Sequence, residues 1–215
     1  MTNKCAFTLS EVLITLGIIG VVAALAIPTL ISNNNKRVVE TRLAKFYSSI
    51  NQAIELSEVE NGPKEKWDDL TQDADINYNW FKKYMEPYIS YNKIVKESDG
   101  RLAIFQNDGS AFTILSGGWR FYPKSEIYDP NKVDNGEKLG KESFIFLFRP
   151  TLTDDTRYKF HVKKGVEPYQ WNWDGTEETL RGNNYGCSED GWGHYCTQLI
   201  RMNGWKIPDD YPYKF

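Results

Sequence analysis

Several residue types and motifs on which enzymes depend are scarce in this sequence or absent from it. Its 215 residues include only two histidines, His161 and His194. Neither accompanies a GxSxG nucleophile motif, and no HExxH zinc motif or glycine-rich phosphate loop occurs. The adjacent carboxylates at 154–155 and 177–178 lie in loop-like sequence, where such pairs are usually just solvated. We therefore expect a protein that is not an enzyme and that uses no cofactor.

An excess of basic residues is also lacking. Lysine and arginine together number 26 against 29 aspartates and glutamates, so the formal net charge is −3. Proteins that bind nucleic acid usually present a strongly basic surface. We therefore expect no nucleic acid partner.

Charged side chains are absent from the segment between Val12 and Ile31. A helix of about 20 residues, rising about 1.5 Å per residue, crosses the hydrocarbon layer of a membrane. The segment can therefore span a membrane once. The alternative is a cleavable secretory signal, but this run is longer than the usual apolar core and has Glu11 near its start. It also has Pro28 where a small-residue cleavage site would be sought.

Glu11 is the one carboxylate beside this apolar run. A charged side chain at membrane depth costs about 2–3 kcal/mol and usually marks function. The run itself contains no lysine, arginine or histidine that could pair with it. The partner of Glu11 must therefore come from another chain or from an amino terminus created by proteolysis.

The string KCAFTLSE, which begins at Lys4 and precedes the apolar run, resembles the processing motif of type IV prepilins and type II secretion pseudopilins. The resemblance implies cleavage between Ala6 and Phe7 and methylation of the new Phe7 amine. It also implies that Glu11 pairs with the amine of a neighbouring subunit during assembly, and that Pro28 is the helix-kinking proline of many such pilins. Ala6 stands where the family usually has glycine, and it is small enough for the same pocket.

The resemblance also implies a location and a set of partners. The protein would sit in the cytoplasmic (inner) membrane with its head domain outside the cytoplasm, and would then enter a pilus or pseudopilus as a structural subunit. Its partners would be other pilin subunits, a prepilin peptidase that also methylates, an assembly ATPase and a polytopic platform membrane protein. Charge alone would not give this orientation, because Lys36 and Arg37 follow the apolar run whereas only Lys4 precedes it.

Cleavage after Ala6 would remove Cys5 and leave two cysteines, Cys187 and Cys196. They flank a glycine-rich loop in YGCSEDGWGHYC, and we expect a disulfide because such bonds persist outside the cytoplasm. Two buried thiols are the alternative. A metal site would need more ligands than His194, the one histidine between them, can supply.

The apolar run is expected to continue as an amphipathic helix that stops at the NGP sequence beginning at Asn61. This divides the chain into a leader peptide (1–6), a membrane-spanning and filament-core helix (7–31), an amphipathic continuation (32–62) and a head domain (63–215). Charged residues, Glu40 among them, are expected on the other faces of the continuation. Its predicted buried stripe repeats at steps of three and four residues: Val39, Leu43, Phe46, Ile50, Ala53 and Ser57.

The head domain is expected to contain an antiparallel sheet. The clearest signal is a hairpin in which Asn107, Asp108 and Gly109 separate RLAIFQ from SAFTIL. Further strands are expected in WRFY, SFIFLF and RYKFHV, and a short helix is expected around Trp80 to Glu86. The C-terminal segment resembles the end of some pilin-like proteins, which implies another short apolar strand after Cys196. The predicted fold class is α+β and pilin-like, with a long N-terminal helix packed by an antiparallel sheet.

Two further hypotheses concern binding. Asp129, Asp134 and Glu142 could supply calcium ligands, but their spacing does not match an EF-hand loop and turn formation is the favoured interpretation. The alternative to a filament subunit is a membrane-anchored binding module. The 7 tryptophans and 13 tyrosines could form a carbohydrate-binding face. An exposed coplanar set of rings would favour a ligand, whereas buried rings would favour packing.

Overall fold

The computed structural model describes residues 8–133, 136–152 and 156–215. The chain divides into two compact units, one ending at Arg37 and the other running from Val38 to Lys214. A single helix, α1 (Leu9–Asn61), begins in the first unit and ends in the second. The second half of α1 therefore belongs to the same compact unit as the head domain.

The predicted buried stripe of α1 is confirmed. All six of its predicted members are buried, and Ile54 and Glu40 are buried beside them. The end of the helix is also as predicted, because Gly62 adopts a left-handed backbone conformation with φ of 76° and Pro63 follows it. The expectation that Glu40 lies on a solvent-facing side of the helix is wrong. Its carboxylate accepts hydrogen bonds from Lys206 Nζ and the backbone N–H of Ile207, both at 3.0 Å.

Six antiparallel strands form one sheet in sequence order. The predicted hairpin is confirmed as β2 (Leu102–Phe105) and β3 (Ala111–Leu115), with Phe105 paired to Ala111 across the turn. The predicted strands WRFY and SFIFLF correspond to β4 (Gly118–Tyr122) and β5 (Phe144–Leu147). The strands are β1 (Lys93–Lys96), β2 (Leu102–Phe105), β3 (Ala111–Leu115), β4 (Gly118–Tyr122), β5 (Phe144–Leu147) and β6 (Glu167–Pro168).

The strand predicted in RYKFHV is absent. Thr156–Tyr158 form a short 3-10 helix, and the next residues form turns in which the His161 N–H donates to the Tyr158 carbonyl. Lys163 has a left-handed φ of 56°, which interrupts an extended chain. Strand β6 occurs further along, at Glu167–Pro168.

The main core lies between α1 and the sheet. Phe46 is fully buried, and its ring lies 4.4 Å from that of Phe121 and 5.3 and 5.1 Å from those of Phe112 and Phe146. The guanidinium of Arg42, one turn earlier on α1, donates to the backbone carbonyl of Asp108 in the hairpin turn. The aromatic contacts of Phe46 and the hydrogen bond from Arg42 to the hairpin turn together fix this part of α1 on the sheet.

Helix α2 (Ala74–Tyr84) begins earlier than the sequence predicted, because the Asp73 carboxylate accepts hydrogen bonds from the backbone N–H groups of Asp75 and Ile76. Its rings at Trp80 and Tyr84 are buried and pack with Trp67. Packing rather than ligand binding therefore explains these aromatic residues, as expected.

The C-terminal region forms a smaller core around a disulfide between Cys187 and Cys196, with an S–S distance of 2.00 Å. Its helices are α3 (Glu177–Arg181) and α4 (Cys196–Met202). The strand predicted after Cys196 is therefore wrong. The five residues from Cys196 to Ile200 are all buried, and a short buried run does not by itself distinguish strand from helix. Buried residues of this core are Trp173, Leu180, Cys187, Tyr195, Cys196 and Leu199.

Candidate functional site

The start of α1 is closed by a reciprocal set of hydrogen bonds between Thr8 and Glu11. The backbone N–H and the hydroxyl of Thr8 both donate to Glu11 Oε2 at 2.8 Å, and the Glu11 N–H donates back to Thr8 Oγ1 at 3.3 Å. This is a capping box, in which a threonine before the helix and a glutamate three residues later satisfy each other's backbone donors. The T-x-x-E spacing in TLSE predicts it, although Glu11 was expected only to pair with another chain or with an amino terminus created by proteolysis.

Between Val12 and Ile31, α1 has no charged side chain and exposes large apolar side chains on all sides. Among the described residues, α1 is the helix long and apolar enough to cross a membrane by length and composition. A helix that is apolar all round is stable where lipid or other helices surround it. Its exposed large apolar residues are Leu9, Val12, Leu13, Ile14, Leu16, Ile18, Ile19, Val21, Val22, Leu25, Ile27, Leu30 and Ile31.

Two residues within this segment affect the hydrogen bonds of the helix in different ways. The Thr15 hydroxyl donates to the Val12 carbonyl at 2.9 Å, which satisfies that hydroxyl inside the helix. Pro28 lies within α1 and has no N–H to donate to the carbonyl of Ala24. Pro28 therefore removes one rung of the hydrogen-bond ladder without ending the helix.

The predicted cleavage site, Ala6 and Phe7, lies outside the described residues, as does Cys5. Its position relative to Glu11 is known from the sequence alone. The processing prediction therefore rests on the motif and on the helix that follows it.

The candidate calcium ligands are only partly described, because Asp134 lies outside the described residues. Asp129 Oδ1 accepts from Asn131 N at 3.0 Å, and this hydrogen bond lowers the pKa of the Asp129 carboxyl. Glu142 Oε2 accepts from the Lys138 N–H at 2.9 Å. The described part of the chain has no group of three or more histidine, cysteine, aspartate or glutamate side chains placed to hold a metal. Both described carboxylates thus close turns, and calcium binding stays the alternative hypothesis that the sequence left open.

Most of the large aromatic side chains are used in packing. Trp67, Trp80, Trp119 and Trp173 are buried. Trp192, in the disulfide loop, is 56% exposed. Its ring meets that of Tyr185 nearly edge to face, at 81°, so these two rings do not form the coplanar platform that a flat sugar-binding face would need.

Two family models match the chain. One, described as a family of unknown function (DUF6613), matches residues 29–215, and the other, the prokaryotic N-terminal methylation motif, matches residues 1–27. No curated protein and no solved structure matches the chain significantly. The methylation motif covers the capping box and most of the apolar segment of α1, and the resemblance to type IV pilins and pseudopilins is thereby confirmed. The chain therefore belongs to the DUF6613 family and begins with the N-terminal methylation segment of the type IV pilins and pseudopilins.

Proposed function

We propose that this protein is a structural subunit of a type IV pilus or a type II secretion pseudopilus. Its precursor is cut between Ala6 and Phe7, methylated on the Phe7 amine and polymerised through α1. The observation that carries the proposal is the long, exposed apolar surface of α1 with the single carboxylate of Glu11 near its start. Such a surface needs lipid before assembly and neighbouring helices after it.

The capping box leaves Glu11 able to bind a second group. Both donors from Thr8 use Oε2, and none of the described residues donates to Oε1. An ammonium group on the Phe7 of another subunit could bind this oxygen. Each charge alone would be costly in lipid, whereas the pair forms a strong charge-assisted hydrogen bond. Glu11 would thus cap its own helix and pair with the next subunit.

The same proposal includes the partners that the family implies: other pilin subunits, the methylating prepilin peptidase, the assembly ATPase and the platform membrane protein. The head domain would lie outside the cytoplasm. The disulfide between Cys187 and Cys196 supports this location, since such bonds persist in oxidising compartments. Nothing in this role requires catalysis by the subunit itself.

The test separates the capping role of Glu11 from its charge. Glutamine also completes a capping box, so Glu11→Gln keeps the helix start and removes the negative charge. We expect Glu11→Gln and Glu11→Ala both to insert into the membrane and both to be lost from filaments sheared from cells. Ser10→Ala, one residue away, is the matched control and should assemble normally. Normal assembly of Glu11→Gln would contradict the proposed ion pair.

A further inference from the structure

A groove of about 810 Å³ lies on the second unit, lined by residues of α1, by residues of the 164–167 segment and by Trp205. Ligand sites in proteins usually measure about 300–1,000 Å³. The lining residues used below are Tyr47, Gln52 and Glu55 from α1, with Lys164 and Trp205 facing the same space. We refer to it as the Trp205 groove.

Trp205 has an unusual backbone conformation for a bulky aromatic residue. Its φ is 61°, in the left-handed region that favours glycine and asparagine. Its N–H donates to the Ile200 carbonyl at 2.9 Å, and the next two residues are bound by Glu40. Strain of this kind costs about 1–3 kcal/mol and is often found at functional sites. Here it holds a half-buried indole ring beside the groove.

The aromatic part of the groove is rigid. The rings of Tyr47 and Trp205 lie 5.0 Å apart at an angle of 41°. The Tyr47 hydroxyl donates to Glu167 Oε1 at 3.1 Å, and the Arg201 guanidinium both pairs with Glu167 and lies 5.0 Å from the centre of the Tyr47 ring. The Tyr47 ring is therefore fixed before any ligand arrives, which reduces the entropy lost on binding.

The polar side chains of the groove are largely unused. Gln52, Glu55 and Lys164 make no side-chain hydrogen bond or ion pair with any residue that the structure describes. Asn51, in contrast, is fully engaged, since its amide accepts from the Val166 N–H at 3.0 Å and donates to the Val166 carbonyl at 2.9 Å. The groove thus offers free donors, free acceptors and both signs of charge.

We propose that the Trp205 groove binds a neutral carbohydrate. One sugar ring packs against the indole of Trp205 alone, because an aromatic ring offers a large rigid apolar face. The tilted Tyr47 ring supports the indole from the side. Its hydroxyl groups exchange hydrogen bonds with Gln52, Glu55 and Lys164, which can supply both donors and acceptors. The opposite charges of Glu55 and Lys164 offset each other, which suits a neutral ligand better than a polyanion. A purely apolar ligand would displace water from the three polar side chains without replacing its hydrogen bonds. The proposal does not depend on filament assembly.

The test uses the full chain, purified in a detergent without a sugar headgroup, and titrates it with maltotriose, cellotriose and chitotriose. Binding is followed by saturation-transfer NMR and by calorimetry. The key variant is Trp205→Asn, because asparagine tolerates the left-handed backbone and carries no ring. Loss of the stacking face should weaken binding about tenfold. Trp192→Asn removes an exposed ring outside the groove and should leave the affinity unchanged.

Two outcomes would overturn the proposal. The first is that none of the three trisaccharides binds the unaltered chain, or that Trp205→Asn binds them as tightly as the unaltered chain does. The second is that Trp205→Asn impairs filament incorporation while no trisaccharide binds, which would make the groove a contact between copies of this chain. Thermal unfolding of Trp205→Asn checks that the fold is kept. Since sugar binding and assembly are measured separately, failure here leaves the filament proposal standing.

Discussion

Replacing Glu40 by alanine should detach the C-terminal segment from α1. Glu40 is buried, with 6% of its surface exposed, and its two oxygens hold two consecutive residues. Oε1 accepts from the backbone N–H of Ile207 and Oε2 from the ammonium group of Lys206, each at 3.0 Å. Ile207 is itself buried. The carboxylate therefore joins α1 to a segment more than one hundred and sixty residues later in the chain.

The two hydrogen bonds should contribute unequally. A hydrogen bond to a charged group contributes about 1.5–3 kcal/mol, and the Ile207 N–H would be left buried without its acceptor. Lys206 is 68% exposed, so its ion pair is screened by water and should contribute about 0.2–1 kcal/mol. We expect Glu40→Ala to lower the free energy of unfolding by about 3 kcal/mol. Glu40→Gln, which keeps an acceptor for Ile207, and Lys206→Met should each lower it by about 1 kcal/mol or less.

The assay is urea unfolding of the full chain in detergent micelles, followed by tryptophan fluorescence. Glu40→Ala, Glu40→Gln and Lys206→Met are compared with the unaltered chain at one pH and salt concentration. The reasoning would be refuted if Glu40→Gln were as unstable as Glu40→Ala, because the charge would then matter more than the backbone acceptor. A loss above about 2 kcal/mol in Lys206→Met would refute it equally, since exposed ion pairs do not contribute that much.

Three further changes test the packing, the protonation and the crosslink of the second unit. Phe46→Ala should lower the free energy of unfolding by about 4 kcal/mol in the same assay, whereas Val59→Ala, at an 84% exposed position of the same helix, should leave it unchanged. Burial lowers the pKa of His161 to about 4 from its usual 6.5. Stability should therefore be complete above pH 6.5 and fall by up to about 3 kcal/mol as the pH approaches 4, because the unfolded chain takes up the proton first. The stability of His161→Gln should lack this pH dependence. If His161→Gln has the same pH profile as the unaltered chain, His161 is not its cause. The double change Cys187→Ser with Cys196→Ser should lower the free energy of unfolding by about 2.5 kcal/mol, because the disulfide closes a loop with a sequence separation of 9. Treatment of the unaltered chain with reductant should reproduce the loss of thermal stability.

The features predicted correctly from the sequence are those set by local patterns. The buried stripe through Leu43 and Phe46 follows from one repeating step along a helix, and the Asp108–Gly109 hairpin from one turn. The methylation segment is equally local, since Glu11 and the apolar run are contiguous in the chain. These local patterns therefore predict the helix that carries the candidate site.

The features that were missed depend on distant or ambiguous partners. Glu40 looked solvent-exposed because nothing near it in the sequence reveals Ile207 as its partner. The run after Cys196 fits either a strand or a helix in sequence. In the structure it is helix α4, which packs into the disulfide core. The Trp205 groove joins segments far apart in the chain, so no window of sequence contains it. The capping box of Thr8 is different, since the T-x-x-E signal was present and was not used.

Mass spectrometry of the mature amino terminus tests the central claim most directly. The protein is isolated from membranes of its native host and digested, and the N-terminal peptide is sequenced by fragmentation. The account predicts a peptide that begins at Phe7 and carries a methyl group on its amine, with Ala6 and the preceding residues removed. A mature protein that still begins at Met1 would contradict the account.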